Sequence, residues 1–179
     1  YEMFFEDALK ASKALEITLT GKDCGQEERA PMCGVPYHAY EVYANRLIEQ
    51  GYKVAICEQV EDPKQAKGLV KRDVIQIITP GTNLSTQNLK EGQNNYLMSI
   101  YAVDDAYGIA VADITTGEAR TCQVTSKDKC KDEINKYQPA EIICNEVFLC
   151  QDWDVEYYRE RLHITISAMD DWYFNEEQD

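Results

Sequence analysis

Thr82-Asn83-Leu84-Ser85-Thr86-Gln87-Asn88-Leu89-Lys90-Glu91-Gly92-Gln93-Asn94-Asn95 is the stretch on which the organisation of this chain turns. It is polar and follows neither the 3.6-residue period of a helix nor the two-residue period of a strand. A chain of 179 residues can form one medium domain or two small ones. The charge also changes across this stretch. Residues 1–83 carry 10 Lys/Arg and 13 Asp/Glu, a net of −3, and the remainder carries 8 and 19, a net of −11. The sequence therefore predicts a first domain over 1–83, a linker over 84–95 and a second domain over 96–179.

Ahead of the linker, Phe5 to Leu15 has a helical spacing in Phe4 or Phe5, Ala8, Leu9, Ser12 and Leu15, with Glu6 and Asp7 early, where the helix dipole favours anions. Ile17 to Thr20 alternates like a short strand, and the Gly- and charge-rich residues 21–34 read as a loop. Tyr40, Tyr43, Ala44, Leu47 and Ile48 mark a second helix that Gly51 stops. Lys53 to Glu58 reads as a buried strand, Asp62 to Lys67 as a turn of helix, and Val74 to Thr79 as a strand closed by a Pro80-Gly81 type II turn. The opening Tyr1-Glu2-Met3-Phe4-Phe5 reads as packed structure with no polar lead-in, so the chain is expected to be a piece of a longer protein.

Beyond the linker, Tyr96–Val103, Gly108–Ile114 and Glu118–Val124 form a three-stranded meander through tight turns. Lys127 to Tyr137 is a helix capped by Ser126 and stopped by Pro139. Glu141 to Cys144 follows that helix and can pair in parallel. After Trp153 the segmentation weakens, and Asp170 to Asp179 offers no closing element.

Apolar residues make up 44% of the chain, enough for real cores, and no apolar run reaches the roughly 18 residues of a membrane span. Seven cysteines fall at 24, 33, 57, 122, 130, 144 and 150 without any C-x-x-C or zinc-finger spacing. Reduced thiols are expected, with Cys57 and Cys144 as small core hydrophobes. His38 and His163 are the only histidines, too few for a His-based triad or metal site, and His38 suits local bonding at a helix start.

Several strings occur in order: Tyr1-Glu2 followed by F-F-E-D-A, then Pro31-Met32-Cys33-Gly34-Val35-Pro36-Tyr37-His38-Ala39, Val54-Ala55-Ile56-Cys57-Glu58-Gln59 and Thr79-Pro80-Gly81-Thr82. Together they resemble the mismatch-recognition domain of the bacterial MutS family of DNA mismatch-repair proteins. The polar linker and the meander, with D-I-T-T-G-E at Asp113 to Glu118, resemble its connector domain. The resemblance implies a two-domain α+β and α/β fold: a mixed sheet with flanking helices, then a truncated ribonuclease-H-like connector. It implies an N-terminal fragment that recognises mismatched or looped duplex DNA.

In that family a Phe-Tyr-Glu motif enters the minor groove, the aromatic ring wedging beside the mispair while the carboxylate bonds to a base. An apolar wedge kinks the duplex at the step that resists least. Tyr1 and Glu2 match the second and third motif positions, the Phe position falling before Tyr1. Tyr1 is expected to be more structural than contacting, and a solvated carboxylate is the bland alternative for Glu2. The resemblance further implies a homodimer partner and MutL docking on the connector, which relays the ATP state. It also implies a bacterial cytoplasmic, nucleoid-associated location, with ATP and Mg²⁺ belonging to the parent protein. No G-x-x-x-x-G-K-[S/T] occurs, so no enzyme activity or cofactor is expected of these residues themselves.

Lys64, Lys67, Lys71 and Arg72 form the basic cluster of the first half, suited to one phosphate backbone or simply to a solvated face. Asp104, Asp105, Asp113 and Glu118 raise a metal-dependent nuclease as one rival. Two-metal chemistry wants a carboxylate in the first strand, and Tyr96 to Val103 has none, so turn chemistry is the favoured reading. An acidic module that docks basic protein partners is the other rival.

Overall fold

The computed structural model describes residues 1–25, 28–64, 66, 68–84 and 94–175. The chain divides into two compact units, Tyr1–Ile78 and Thr79–Asp179. The expected linker, 84–95, falls mostly outside the described residues. The T-P-G-T turn, which the sequence places with the first domain, belongs to the second unit.

The first unit contains β1 (Glu2–Phe4), α1 (Phe5–Leu15), β2 (Thr20–Lys22), β3 (Ala30–Gly34), α2 (Tyr40–Glu49), β4 (Val54–Gln59) and β5 (Arg72–Ile78). Strands β1, β3 and β2 form an antiparallel sheet in that order. Two expectations are corrected here: residues 21–34 are not all loop, and the strand expected at Ile17–Thr20 begins only at Thr20. Pro31 disguised β3, because a proline breaks a strand paired on both sides. The two pairings of β3 are staggered and overlap only at Met32. The β1 ladder runs from Met32 to Gly34 and the β2 ladder from Ala30 to Met32. Pro31 therefore has a single strand neighbour.

Helix α1 buries Ala8, Ala11, Ser12 and Leu15, a stripe at i, i+3, i+4 and i+7. Phe5 and Leu9, expected on that face, are 64% and 42% exposed. Leu9 lies beside the stripe, and Phe5 sits at φ +54, where the chain turns out of β1 into the helix. With Cys33 and Leu47 the apolar stripe makes a small core, ringed by half-buried Met3, Ile17, Tyr43 and Val54.

Strands β4 and β5 pair as a separate antiparallel ribbon with a register shift at Ile56/Cys57. The buried strand expected there is covered on one face only: Ile56 is buried, while Ala55, Cys57 and Gln59 alternate outward. Cys57 is thus an exposed thiol, in contrast to buried Cys144. On β5 the outward residues include Val74, Ile75 and Ile77, the last two 59% and 63% exposed. Of the helical turn expected at Asp62–Lys67, Pro63 and Lys64 form a turn, and Gln65 and Lys67 lie outside the described residues.

The second unit contains β6 (Tyr96–Val103), β7 (Ala106–Asp113), β8 (Glu118–Val124), α3 (Lys127–Tyr137), β9 (Glu141–Cys144), α4 (Glu146–Cys150), α5 (Val155–Glu160) and β10 (Thr165–Ala168). Its five-stranded sheet has the order β10-β9-β6-β7-β8. The meander β6-β7-β8 is antiparallel, and β9 pairs in parallel with β6, as expected of a strand that follows a helix. Strand β10 extends the sheet in parallel beyond β9, an element absent from the sequence reading. Ser126 Oγ accepts from Lys129 N at 3.3 Å, so the α3 cap forms as expected.

Met98, Ile100, Tyr107, Ile134, Ile142 and Phe148 are at most 1% exposed and form the centre of this unit. Burial pushes the Cys130 thiol up to about 12 and Cys144 to about 11, so both behave as apolar side chains. Where the β6–β9 ladder ends at Ile100/Cys144, the Asn145 side chain continues it. Its amide donates to Ala102 O and accepts from Ala102 N, each at 2.9 Å. Thr79–Thr82 folds as a 3-10 turn (Pro80–Thr82) with reciprocal Thr79/Thr82 capping, not the expected type II turn. Gly81 N donates to the buried Glu141 carboxylate at 3.1 Å. A Cβ at Gly81 would come within 2.9 Å of Leu97 and 3.0 Å of Glu141 Cβ.

Candidate nucleic-acid interface

Glu2 lies on β1, an edge strand of the three-stranded sheet, opposite Gly34. Its side chain is exposed, and Oε2 accepts from Lys22 Nζ at 2.6 Å. The same ammonium lies 5.4 Å from the centre of the Phe4 ring. Both partners of the Glu2–Lys22 pair are about half exposed, so water competes for the contact and it can open readily. Gly34 permits the close approach of β1: a Cβ there would lie 3.1 Å from Tyr1 O.

Tyr1 is anchored from three sides. Its backbone N donates to Val35 O and its O accepts from Val35 N, both at 2.9 Å. Its ring stacks on Tyr37, centroids 5.6 Å apart and 17° between planes, and meets Tyr40 at 5.1 Å. Its hydroxyl donates to Glu58 Oε1. That bond to a carboxylate holds the Tyr1 phenol well above the ordinary tyrosine range, and desolvation adds to the effect. The sequence singles out Tyr1 and Glu2 as site residues but gives no site role to Glu58, Lys22, Tyr37 or Tyr40. Only the charge that ends the apolar run V-A-I-C-E hinted at Glu58.

Among the basic residues, Lys64, Lys71 and Arg72 are exposed, in the β4–β5 connection and at the head of β5. Lys67 lies outside the described residues. The cluster is interleaved with acids: Glu61 Oε2 accepts from Lys71 N at 3.1 Å, Asp62 Oδ1 from Lys64 N at 2.9 Å, and Asp73 follows Arg72. The structure thus places these cations near the ribbon end that also carries Glu58, with acids between them.

The acids of the meander do turn chemistry. Asp113 is buried, which alone would raise its carboxyl; hydrogen bonds from Thr115, Asn95 and Thr116 outweigh this and hold it below the usual carboxylate range. Thr115 Oγ1 and N reach Asp113 Oδ1 at 2.6 and 2.8 Å, and Asn95 N reaches Oδ2 at 3.2 Å. Glu118 pairs with Arg120 at 2.6 Å, and Asp104 and Asp105 occupy the β6–β7 turn. Among the described residues no group of three His, Cys, Asp or Glu could hold a metal ion, and no helix is long and apolar enough to cross a membrane. His38 is exposed within the 3-10 turn Tyr37–Ala39.

The family model for MutS domain I matches residues 1–87, and that for MutS domain II matches residues 95–179. The DNA mismatch repair protein MutS of Lachnoclostridium phytofermentans is 62% identical over 178 residues, 99% of this chain and 19% of the relative. That of Acetivibrio thermocellus is 54% identical over 180 residues, 99% of this chain and 21% of the relative. That of Caldanaerobacter subterraneus subsp. tengcongensis is 57% identical over 152 residues, 83% and 18%. The chain spans about a fifth of the length of the curated relatives it matches. With an α+β architecture and matches to both domain models, the chain belongs to the MutS family, of which it carries domains I and II.

Proposed function

We propose that this chain supplies the mispair-reading and connector parts of a DNA mismatch-repair protein. In this reading the edge of β1 enters the minor groove, Glu2 hydrogen-bonds to a base edge, and an aromatic residue at the position before Tyr1 wedges beside the mispair. The observation that carries it is the placement of Glu2: an exposed carboxylate on an edge strand, held by an ion pair that water can break. A carboxylate is repelled by phosphates, so it contributes only where a base-edge donor meets it. That condition is what makes it selective. Unstacking costs least at a mispair, so kinking there favours the same sites.

Lys64, Lys67, Lys71 and Arg72 are proposed as phosphate contacts. Tyr1 is assigned to holding the strand and not to touching DNA. The second unit acts as a connector that passes the ATP state of the parent protein to the reading domain and offers a surface to MutL, within a homodimeric clamp. Its strand order, with an antiparallel meander joined at its first strand to two parallel strands, supports the ribonuclease-H-like reading of the connector.

The test is fluorescence anisotropy of the full-length protein on matched and singly mismatched duplexes. Glu2→Ala should lower the mismatched-to-matched affinity ratio by about tenfold, the discrimination expected of one good base contact. An unchanged ratio would reject Glu2 as the reading group. Replacing the four basic residues with Gln should reduce the salt slope of binding by about 0.9 for each phosphate that is no longer neutralised.

A further inference from the structure

We propose that Glu58 is a positioning residue for mispair readout: through the Tyr1 phenol it fixes the end of β1 from which Glu2 is presented. The inference rests on the reading of Glu2 given above. Glu58 stands on β4, 57 residues from Tyr1 in sequence, and Oε1 accepts the Tyr1 hydroxyl proton. The bond therefore ties the N-terminal edge strand to the ribbon.

Strand β1 needs such a tie. It has three residues and a single strand neighbour, β3. Behind it lies a cavity of about 120 Å³ lined by Tyr1, Glu2, Met3, Tyr40, Val54 and Ile56 among others, so side-chain packing does not fix β1, and its place rests on directed bonds: the Val35 pair to the Tyr1 backbone on one side and Glu58 on the other. The Tyr40 ring, tilted at 55°, limits the Tyr1 ring laterally, but the stacked face of Tyr37 lets it slide at little cost. A bond to a carboxylate is charge-assisted and directional, and it sets the position along the stack. Glu2 follows Tyr1 at the fixed Cα spacing of about 3.8 Å. Displacement of Tyr1 therefore passes through the backbone to the Glu2 carboxylate. A contact with a base edge must fall within a few tenths of an ångström to form, so this drift is what Glu58 suppresses.

The experiment uses the full-length protein, matched and singly mismatched duplexes at fixed salt, and thermal melts of each variant. Glu58→Ala and Tyr1→Phe should each lower the mismatched-to-matched ratio about tenfold, leaving matched-duplex affinity unchanged. The double variant should fall no further than the worse single one, because both remove the same bond. Glu58→Gln, whose amide oxygen still accepts from the phenol, should keep most of the ratio. If Glu2→Ala lowers the ratio and Glu58→Ala does not, the positioning role is overturned while the reading of Glu2 stands. If Glu2→Ala itself has no effect, the underlying reading is overturned. A parallel loss of both affinities with a lower melting temperature in Glu58→Ala would make it a fold residue and reject the proposal.

Discussion

The two units use their apolar residues in different ways. The second gathers Met98, Ile100, Tyr107, Ile134, Ile142 and Phe148 into one closed centre beside a five-stranded sheet. The first closes a small core with two alanines, Leu15, Cys33 and Leu47, and leaves a two-stranded ribbon in which Ile56 of β4 is buried and β5 is exposed almost throughout. A tightly filled interior transmits displacement because it cannot absorb it. A thin one allows an edge strand to be set by a few directed contacts. The second unit is thus the stiffer of the two, and the first leaves its edge strand β1 adjustable.

Both tryptophans, Trp153 and Trp172, lie in the second unit, so tryptophan fluorescence follows its unfolding selectively. The comparison is tested hardest by Phe148→Ala, which removes a ring stacked 4.4 Å from Trp153. It should destabilise that unit by about 3–5 kcal/mol in urea titrations, the range for a buried aromatic. A loss below about 1 kcal/mol would mean the centre is not closed. Asn145→Leu comes next. It strands the buried N–H and C=O of Ala102 and should cost about 2–3 kcal/mol by the same measurement.

Asp113→Asn is expected to cost about 2 kcal/mol at neutral pH, since an amide cannot accept the full set of bonds made by the carboxylate. The sign with pH follows from the lowered carboxyl. Its stabilising contribution is complete above the ordinary carboxylate value of about 4 and is lost as pH falls below that, through the depressed folded value. Urea midpoints at pH 7 and pH 3 should therefore converge in the variant relative to the parent. Gly81→Ala should cost about 1–2 kcal/mol, because Glu141 Cβ and Leu97 Cβ at 3.0 and 3.1 Å sit close to their backbones and give little. The smallest effect belongs to the first unit: Glu6→Gln breaks only a 3.6 Å surface pair with Lys10 and should shift stability by under about 0.5 kcal/mol.

Legibility in the sequence divides along the same line. The bounds of β6 follow from its alternation and those of α3 from its Ser cap and the Pro stop, while β8 is marked by the tight turn before it and β9 by a short apolar run after that stop. Strand β10 escapes such reading since Thr165 to Ser167 are only half-buried and give no alternation. In the first unit β3 hides behind Pro31, and the inward reading of Cys57 assumes a two-sided sheet where there is a ribbon. The site shows a similar split. Tyr1 and Glu2 stand in a recognisable run, whereas Glu58 has meaning only through a bond to a residue 57 positions away, which no local pattern encodes.

The outward row of Val74, Ile75 and Ile77 has a practical corollary for anyone handling this two-domain piece. A bare run of β-branched residues is adhesive, and in concentrated samples it would seed self-association ahead of any unfolding. A lysine at position 75 should act as a gatekeeper, keeping such preparations clear without touching β1.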